Sequence, residues 1–552
     1  MRIPVRWLCA GAALCLLASG ARGAERSKYV EAVRQFADNI LEHGRDVYGE
    51  RHTPLLVDGL NVDTLEPVKW KSTSGREWVL SNLGNQQVLF RTLEGLSAIT
   101  GDVKYRNLAM EATRYAYQHL NYGGLLYWGG HAAYDATGDR GVFSEDKGKS
   151  HELKEHFPYY ELMWKADAER TKLLIESIWS GHVLDWAILD FNRHGTPKAP
   201  GLLWSHEYKG GPVFFWGKGL TFLNAGADLY YAAAVLSKLT GDQQPLTWAK
   251  RLAHRYVETR NPKTGIGGFQ FSQTNAWCDD KGLIRGDRAQ YQYGEFFPGK
   301  LVVEGTLFPC YGDAPGVNPQ LCQMALGRML GAEGTEFSKW AVEELLAWAK
   351  SAYRASDNTF IPMLTDGTSM EGFVVQKDGY FGPKGRVIRA GKARAQHFWA
   401  YAEATNHSSD PKLWEMARLI AKGNGFGDIG ANENSAPALE LKTSSAETAA
   451  LFGFLTLHRR TGQGAYLDMA RRIGDNILAQ RFSRGYFLPS SKHLFARFDR
   501  AEPLALLHLA AALEGKPDAV PPFFGSGAFF AAAYADRGHQ YDTSFIYGQT
   551  RR

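Results

Sequence analysis

The chain has 552 residues, a formal net charge of +5 and an aromatic content of 13%. A charge this close to neutral excludes an extended basic surface, so no nucleic-acid partner is expected. Only five cysteines are present, which excludes a disulfide framework but leaves room for one bridge between Cys310 and Cys322. The aromatic content exceeds what core packing usually requires, and it is typical of extracellular proteins that use rings as platforms for sugars.

The first two dozen residues predict a secretory signal peptide. A positively charged start precedes a short apolar run, and Ala21 and Gly23 provide the small residues of a cleavage site. The run is too short to span a membrane, and no other apolar stretch of spanning length follows it, so no membrane span is expected. We therefore expect residues 1–24 to be removed. The remaining protein, residues 25–552, would be periplasmic or secreted, with a net charge of +2 after the loss of three arginines.

A helix pair recurs along the chain at irregular intervals. Each copy has an apolar-periodic helix, a turn built on Thr-Gly-Asp or a relative of it, and a second helix with an aromatic residue and Ala/Arg spacing. The copies begin at Arg91, Leu229, His397 and Ala450. In each turn the glycine or its polar substitute can end the first helix, and the Asp or Ser can cap the second. Such hairpins predict a mainly α protein that closes into an α/α barrel or toroid.

Other segments fill the gaps between these copies. Long helices are predicted over residues 156–189 and 337–353, whereas residues 265–310 and 367–389 are rich in Gly, Tyr, Phe and β-branched residues. The latter two segments predict insertions or short sheets that line one mouth of the barrel. No Pro/Ser-rich linker divides the mature chain, so we expect one catalytic domain, with a less ordered end from Gly525 onward.

Four residues between positions 131 and 194 suggest a metal centre: His131 in GGHAAYD, Glu152 in SHELKEH, and the adjacent Arg193 and His194 in FNRHG. Two imidazoles and a carboxylate can hold a divalent transition metal and leave positions open for a substrate oxygen. A metal draws electron density from a bound carboxylate, which activates a neighbouring acidic C–H within reach of Arg193. The alternative is that these are ordinary caps and hydrogen-bonding groups, because sixteen histidines make chance pairings easy.

The order of these four residues, with the signal peptide, the helical scaffold and the overall length, resembles the periplasmic pectate lyases of polysaccharide lyase family two. The resemblance implies an (α/α)7 barrel with small flanking sheets. It also implies a transition metal on His131, Glu152 and His194, with Arg193 as the base. Imidazole ligands favour Mn²⁺, Co²⁺ or Ni²⁺ over Ca²⁺, which prefers oxygen-only shells.

An arginine base needs help, because a guanidinium group is normally protonated in proteins. A nearby dication and a buried groove would both disfavour the charged form. In the alternative role, Arg193 clamps the substrate carboxylate and another group or hydroxide takes the proton. No convincing general acid is evident, so water is expected to protonate the leaving oxygen.

Binding of an acidic polysaccharide should combine positive charge with rings. Six residues are expected to bind it, by charge at Lys218, Arg285 and Arg288 and by stacking at Trp204, Tyr208 and Trp216. Each has a structural alternative, a salt bridge for the cations and core packing for the rings. His151 and His156 flank Glu152, and either can replace His131 as the ligand or orient it instead.

Two other classes of function are weighed against the lyase. A hydrolase or epimerase would use paired carboxylates such as Asp185 and Asp190, which lie five residues apart on a predicted helix and so not on one face. A glycan-binding protein would not need an Arg-His pair beside a third ligand. We therefore predict a metal-dependent lyase that cleaves polygalacturonate by β-elimination, with another polyuronate as the alternative substrate.

Overall fold

The computed structural model describes residues 28–71, 75–144, 148–211, 217–273, 275–278, 282, 284–309, 314–527, 532–533, 540–541 and 546–551. The predicted signal peptide and Trp216 lie outside these residues, as does most of the end beyond Gly525. Cys310 lies outside them as well, and its candidate partner Cys322 is a buried free thiol. The helices are α1 (28–43), α2 (Gln87–Thr100), α3 (Lys104–His119), α4 (Tyr160–Ala166), α5 (Ala168–His182), α6 (Leu223–Thr240), α7 (Gln243–Glu258), α8 (Arg288–Tyr293), α9 (Asn318–Leu330), α10 (Thr335–Ser351), α11 (Ala395–Ala404), α12 (Pro411–Gly423), α13 (Thr448–Thr461), α14 (Gly464–Arg481) and α15 (Glu502–Leu513).

Seven helices of the described chain form an inner ring: α2, α4, α6, α9, α11, α13 and α15. From α4 onward each packs on the next, and α15 packs back on α2. An ion pair of 2.8 Å between Lys165 and Glu94 joins α4 to α2. The middle of the inner ring is buried on every side. Along α6, for example, all residues from Ala225 to Ser237 are buried, as expected for a helix that is enclosed on all faces.

An outer ring of α1, α3, α5, α7, α10, α12 and α14 covers the inner one, and the inner helices from α2 to α13 each pair with the outer helix that follows. The first helix closes this ring. In α1, the hydroxyl of Tyr29 donates to Asp475 of α14 at 2.6 Å, and Asp38 accepts from Tyr105 of α3 at 3.0 Å. The predicted (α/α)7 barrel is therefore confirmed, with α1 between α14 and α3 in the outer ring.

Local turns explain why the hairpins form where the sequence predicts them. The first helices of three pairs end at Gly101, Gly241 and Gly462, which adopt φ values of 80°, 78° and 71° that only glycine takes at little cost. The side chains of Asp242 and Asp410 then accept backbone hydrogen bonds at the start of α7 and α12.

The connections between the helices differ in length according to whether they lead outward or inward. Inner-to-outer turns are short, as at residues 101–103 and 241–242, whereas outer-to-inner connections are long. Because inner and outer helices alternate in direction, all the long connections lie at one end, which we call the loop end. They contain strands β1 to β25: β1 (Arg45–Asp46), β2 (Thr53–Leu56), β3 (Gly59–Asn61), β4 (Lys69–Lys71), β5 (Glu77–Ser81), β6 (Asn121–Tyr122), β7 (Leu125–Leu126), β8 (Ala132–Asp135), β9 (Arg140–Phe143), β10 (His151–Glu152), β11 (Val183–Asp185), β12 (Asp190–Phe191), β13 (His194–Gly195), β14 (Trp277–Cys278), β15 (Ile284–Arg285), β16 (Leu307–Phe308), β17 (Tyr353–Arg354), β18 (Thr359–Phe360), β19 (Met363–Leu364), β20 (Gly391–Lys392), β21 (Gly427–Asp428), β22 (Ala438–Leu439), β23 (Phe482–Ser483), β24 (Tyr486–Phe487) and β25 (Phe495–Arg497). Two more, β26 (Ala532–Ala533) and β27 (Gln540–Tyr541), follow α15.

Most of these strands form two-stranded ladders. The largest sheet is antiparallel and has the order β4-β5-β8-β9, and β10 pairs with β13. The prediction of short sheets is thus confirmed for residues 265–310, whereas residues 367–389 form an insertion with isolated bridges and no strand. Short strands occur in every long connection.

The helix predicted over residues 156–189 is wrong in its extent. Helix α4 ends at Ala166, Asp167 takes an extended conformation and caps α5, and α5 ends at His182. Residues 183–191 then form the antiparallel β11–β12 hairpin. Glu152 lies in β10, where backbone pairing with β13 holds it in extended form.

Candidate metal centre and active site

Three segments of the loop end bring the predicted ligands together. His131 immediately precedes β8, Glu152 ends β10 and His194 begins β13. In the β10–β13 ladder, Glu152 lies directly opposite His194. On the other side, the Gly130 amide donates to the Glu152 carbonyl at 2.9 Å. Backbone pairing therefore places the three side chains side by side, although they are far apart in sequence.

Two glycines allow this close approach. Gly129 has a φ of 93°, and a Cβ at this position would lie 2.2 Å from the Glu152 carbonyl oxygen. A Cβ on Gly130 would lie 2.2 Å from Oε2 of the Glu152 side chain. The Gly-Gly pair before His131 is thus required by the packing of Glu152, since a side chain at either position would occupy its space.

The donor atoms converge on one spot. One ligand atom from each of His131, Glu152 and His194 lies within 4.8 Å of the others. His131 Nε2 is 3.0 Å from Glu152 Oε2, and His194 Nε2 is 3.6 Å from Oε1. His131 is 1% exposed and Glu152 0% exposed.

These contacts fit a cation better than they fit hydrogen bonds within the site. Neither carboxylate oxygen of Glu152 has a hydrogen bond of good geometry among the described residues, and neither does Nε2 of His131. Buried polar atoms are normally satisfied, so a group of them that faces one point indicates a missing partner. Two imidazoles and a carboxylate are a donor set that suits a divalent transition metal.

Two cations surround the carboxylate. Arg193 Nε lies 3.3 Å from Glu152 Oε1, and Lys154 Nζ lies 3.9 Å from the same oxygen. Burial alone would raise the pKa of Glu152, but His131, Lys154 and Arg193 outweigh it and hold that pKa well below its usual range. Glu152 is therefore ionised, which is the state a metal ligand needs.

Arg193 also borders a cavity of about 390 Å³. Its guanidinium group packs over the ring of Phe222 at 4.7 Å, and its side chain is 21% exposed. Lys154, Phe222, Phe308 and Trp348 line the same cavity. A space of this size, lined by two cations and several rings, is suited to sugar units that carry carboxylates.

Three of the predicted substrate-binding cations lie on segments beside this centre. The Arg193 amide donates to the Leu220 carbonyl, two residues beyond the exposed Lys218. The next segment along pairs Thr221 with Phe271 at 3.1 Å. Beyond it lie Arg288, which pairs with buried Glu304 at 2.9 Å, and the exposed Arg285 of β15. Lys218 thus lies two residues from a backbone bond to Arg193, whereas Arg285 and Arg288 lie on a more distant segment, and Arg288 takes the structural role weighed above.

The predicted aromatic platforms have a different setting. Trp204 packs edge-on against Trp179 at 5.4 Å and donates from Nε1 to Glu176. Tyr208 packs against Trp248. Both rings are partly buried in a cluster around α5 and α7, so core packing accounts for much of their surface. Trp216 is outside the described residues.

The neighbouring histidines do not point into the centre. His151 bonds to Trp128 and His182, and Nδ1 of His156 accepts from the Lys154 amide at 2.9 Å. His131 is therefore the imidazole that faces Glu152 from this side. Sequence reasoning missed Lys154, whose only signal is its position two residues after Glu152.

The carboxylates of the rival hypothesis are already engaged. Asp190 accepts from the Lys218 and Gly219 amides, and Asp185 accepts from the Ala187 amide at 2.9 Å. Both lie in the β11–β12 hairpin and not on a helix. They organise backbone at the loop end, which is a structural task.

A double-ring helical barrel with two imidazoles, a carboxylate and an arginine clustered at its loop end defines an α/α-barrel enzyme with a candidate metal centre. Comparison with known proteins identifies the family. Residues 53–533 match the family described as periplasmic pectate lyase, and the chain belongs to that family. It is 30% identical over 546 residues to a pectate disaccharide-lyase from Dickeya dadantii, across 94% of this chain and 96% of that protein.

Similarity to solved structures is more distant. A cellobiose 2-epimerase from Bacillus thermoamylovorans matches with 11% identity and a TM-score of 0.41, over 89% of this chain and 100% of that one. A family 76 α-mannanase from Bacteroides thetaiotaomicron matches with 11% identity and a TM-score of 0.42, over 90% and 99%.

Family membership confirms several predictions made from the sequence. The protein is an enzyme of the pectate lyase type, the class of its substrate is an acidic polysaccharide, and the family is described as periplasmic. Among the described residues, none of the helices is both long enough and apolar enough to cross a membrane.

Proposed function

We propose that this protein cleaves polygalacturonate by metal-dependent β-elimination and releases 4,5-unsaturated oligogalacturonides. The observation that carries the proposal is the convergence of His131, Glu152 and His194, with Arg193 Nε 3.3 Å from the shared carboxylate. The name of the Dickeya dadantii relative, pectate disaccharide-lyase, supports pectate as the substrate and an unsaturated disaccharide among the products.

His131 and His194 would bind the metal through Nε2 and Glu152 through its carboxylate. Mn²⁺, Co²⁺ or Ni²⁺ suits this set better than Ca²⁺, which prefers oxygen-only shells. When bound, such an ion would act as a Lewis acid towards a uronate carboxylate and so acidify the adjacent C5–H.

Arg193 would take the C5 proton. Of the two cations beside Glu152 it is the nearer one, it borders the cavity, and its guanidinium group packs over the Phe222 ring. Lys154 adds positive charge on the same side of the cavity, where it can hold a uronate carboxylate.

The leaving O4 takes its proton from water. Arg193 can instead clamp the substrate carboxylate from the same position. Loss of a base would lower kcat, whereas loss of a clamp would raise KM. Polygalacturonate is the substrate we favour, and another polyuronate is the alternative.

A panel assay tests the proposal. Purified protein freed of metal is incubated with polygalacturonate, polyglucuronate and polymannuronate, each with and without Mn²⁺, and the absorbance of the conjugated C4–C5 double bond is followed. We expect absorbance to grow only with metal and fastest on polygalacturonate. Equal rates in excess chelator would refute metal dependence, and growth on another polymer alone would refute the substrate.

A further inference from the structure

A buried chain of hydrogen bonds runs behind the candidate metal centre. Trp128 Nε1 donates to His151 Nε2 at 2.9 Å, His151 Nδ1 contacts His182 Nε2 at 2.9 Å, and His182 Nδ1 contacts the Asn192 carbonyl oxygen at 2.7 Å. Trp128, His151 and His182 are 0%, 0% and 3% exposed. No solvent competes for these bonds, so each remains made in the folded protein.

The direction of the chain follows from its two ends. An indole nitrogen only donates, and a carbonyl oxygen only accepts. His151 must therefore accept at Nε2 and donate from Nδ1, and His182 must do the same. Burial lowers the pKa of His182 to about 4, which agrees with a neutral ring that carries one proton.

This chain of hydrogen bonds contacts every segment that supplies a candidate ligand. Trp128 leads into Gly129, Gly130 and His131, and His151 directly precedes Glu152. Asn192 precedes Arg193 and His194, and its side-chain oxygen accepts the His194 amide at 2.9 Å. Three strand ends that are distant in sequence are thus joined by one row of side chains.

His182 belongs to none of these segments. It is the last residue of α5, a helix of the outer ring. Its ring lies close to Gly195, the residue after His194, where a Cβ would come within 2.5 Å of His182 Nε2. His182 therefore connects the centre to the rigid barrel.

We propose that His151 and His182 are positioning residues that set the spacing of the three ligands, with both rings in the Nδ1–H form. This inference rests on the proposed metal centre and adds the residues that orient it. Groups behind a metal site that orient its ligands typically change metal affinity by 10- to 100-fold when removed.

Two substitutions at His182 test the proposal. In His182→Gln the amide offers an acceptor and a donor on neighbouring atoms, so both links can re-form, whereas His182→Leu removes both. The matched control is His508→Leu in α15, because His508 Nε2 also bonds a carbonyl, that of Pro521 at 3.0 Å, and its pKa is also lowered by burial to about 4.

Binding of Mn²⁺ to metal-free protein is measured by electron paramagnetic resonance, and Tm by calorimetry. We expect His182→Leu to raise the Mn²⁺ Kd by about 10- to 100-fold, His182→Gln to restore most of the affinity, and His508→Leu to lower Tm without changing Kd. An unchanged Kd in His182→Leu, or an equal loss in His508→Leu, overturns the inference while leaving the metal centre intact. Wild-type protein that binds no Mn²⁺, Co²⁺ or Ni²⁺ refutes the proposed function itself, and this inference with it.

A second measurement needs no variant. Long-range ¹H–¹⁵N correlation spectra of histidine-labelled protein report which ring nitrogen carries the proton. We expect Nδ1–H for both His151 and His182, and a proton on Nε2 of either ring overturns the inference.

Discussion

Gly130→Ala is the most direct test of the geometry of the centre. Its Cβ would lie 2.2 Å from Glu152 Oε2 and 3.1 Å from Cδ, whereas ordinary contact begins near 3.4 Å. The carboxylate oxygen must therefore retreat by about 1.2 Å. Misplacement of a reacting or binding group by about 1 Å can cost about 10²-fold in rate, so we expect kcat/KM to fall about 10²-fold or more.

Stability should change little in this variant. Gly130 does not adopt positive φ, and the atom displaced is the end of a side chain. Alanine also lowers the conformational entropy of the unfolded chain. This raises the free energy of unfolding by about 0.4–1 kcal/mol and offsets part of the cost of the contact with Glu152. A loss of activity would thus report a displaced ligand and not a damaged fold.

The assay combines initial rates from the absorbance of unsaturated uronates, Mn²⁺ titration and Tm. Gly464→Ala is the matched control, because a Cβ at the start of α14 meets no atom within 4 Å. Gly130→Ala protein with normal kcat/KM and normal Mn²⁺ affinity would refute the packing of Glu152 against Gly130 as the determinant of the site.

Four further outcomes are expected. Excess chelator should abolish activity, and Mn²⁺, Co²⁺ or Ni²⁺ should restore it better than Ca²⁺ in a rate assay, since two of the three ligands are imidazoles; recovery with Ca²⁺ alone would contradict the ligand set. Arg193→Ala should lower kcat by about 10²–10⁴-fold with metal content and KM nearly unchanged, whereas a raised KM at near-normal kcat would show a clamp and not a base. Burial raises the pKa of Asp58 to about 8 from its usual 3.8, so the folded state retains a proton that the unfolded state has lost. Stability should then fall as pH rises from about 4 to about 8, and Asp58→Asn should flatten this dependence in urea unfolding; an identical profile in the variant would exclude Asp58 as its source. Mass spectrometry of exported protein should show a chain that begins within a few residues of Glu25, and an intact Met1 would contradict the signal peptide.

The helical barrel could be predicted because its signals are local. Apolar periodicity and a Gly-Asp turn occur within thirty or so residues of each other, as in the pair that begins at Leu229, and the structure places α6 and α7 there. The overextended helix at residues 183–189 has a local cause as well. Its apolar residues imitate helical periodicity, whereas the real chain turns back at Leu189, which has a φ of 56°.

The centre could be predicted only in part. The residue types and the Gly-Gly pair before His131 suggest ligands, but the alignment of Glu152 with His194 depends on two-residue strands that are forty positions apart. Strands this short carry no periodicity from which to read a register. Lys154 and His182 were missed for the same reason, since their importance comes from contacts across these strands.

The contact of α1 with α14 has a consequence for the order of folding. Tyr29 bonds Asp475 across 446 residues, so neither ring can close until both ends of the chain are present. Contacts of such long range form slowly, because the entropy of the intervening chain must be lost before the contacts can stabilise the fold. The first helix therefore lacks its neighbour α14 until nearly the whole chain is available to fold.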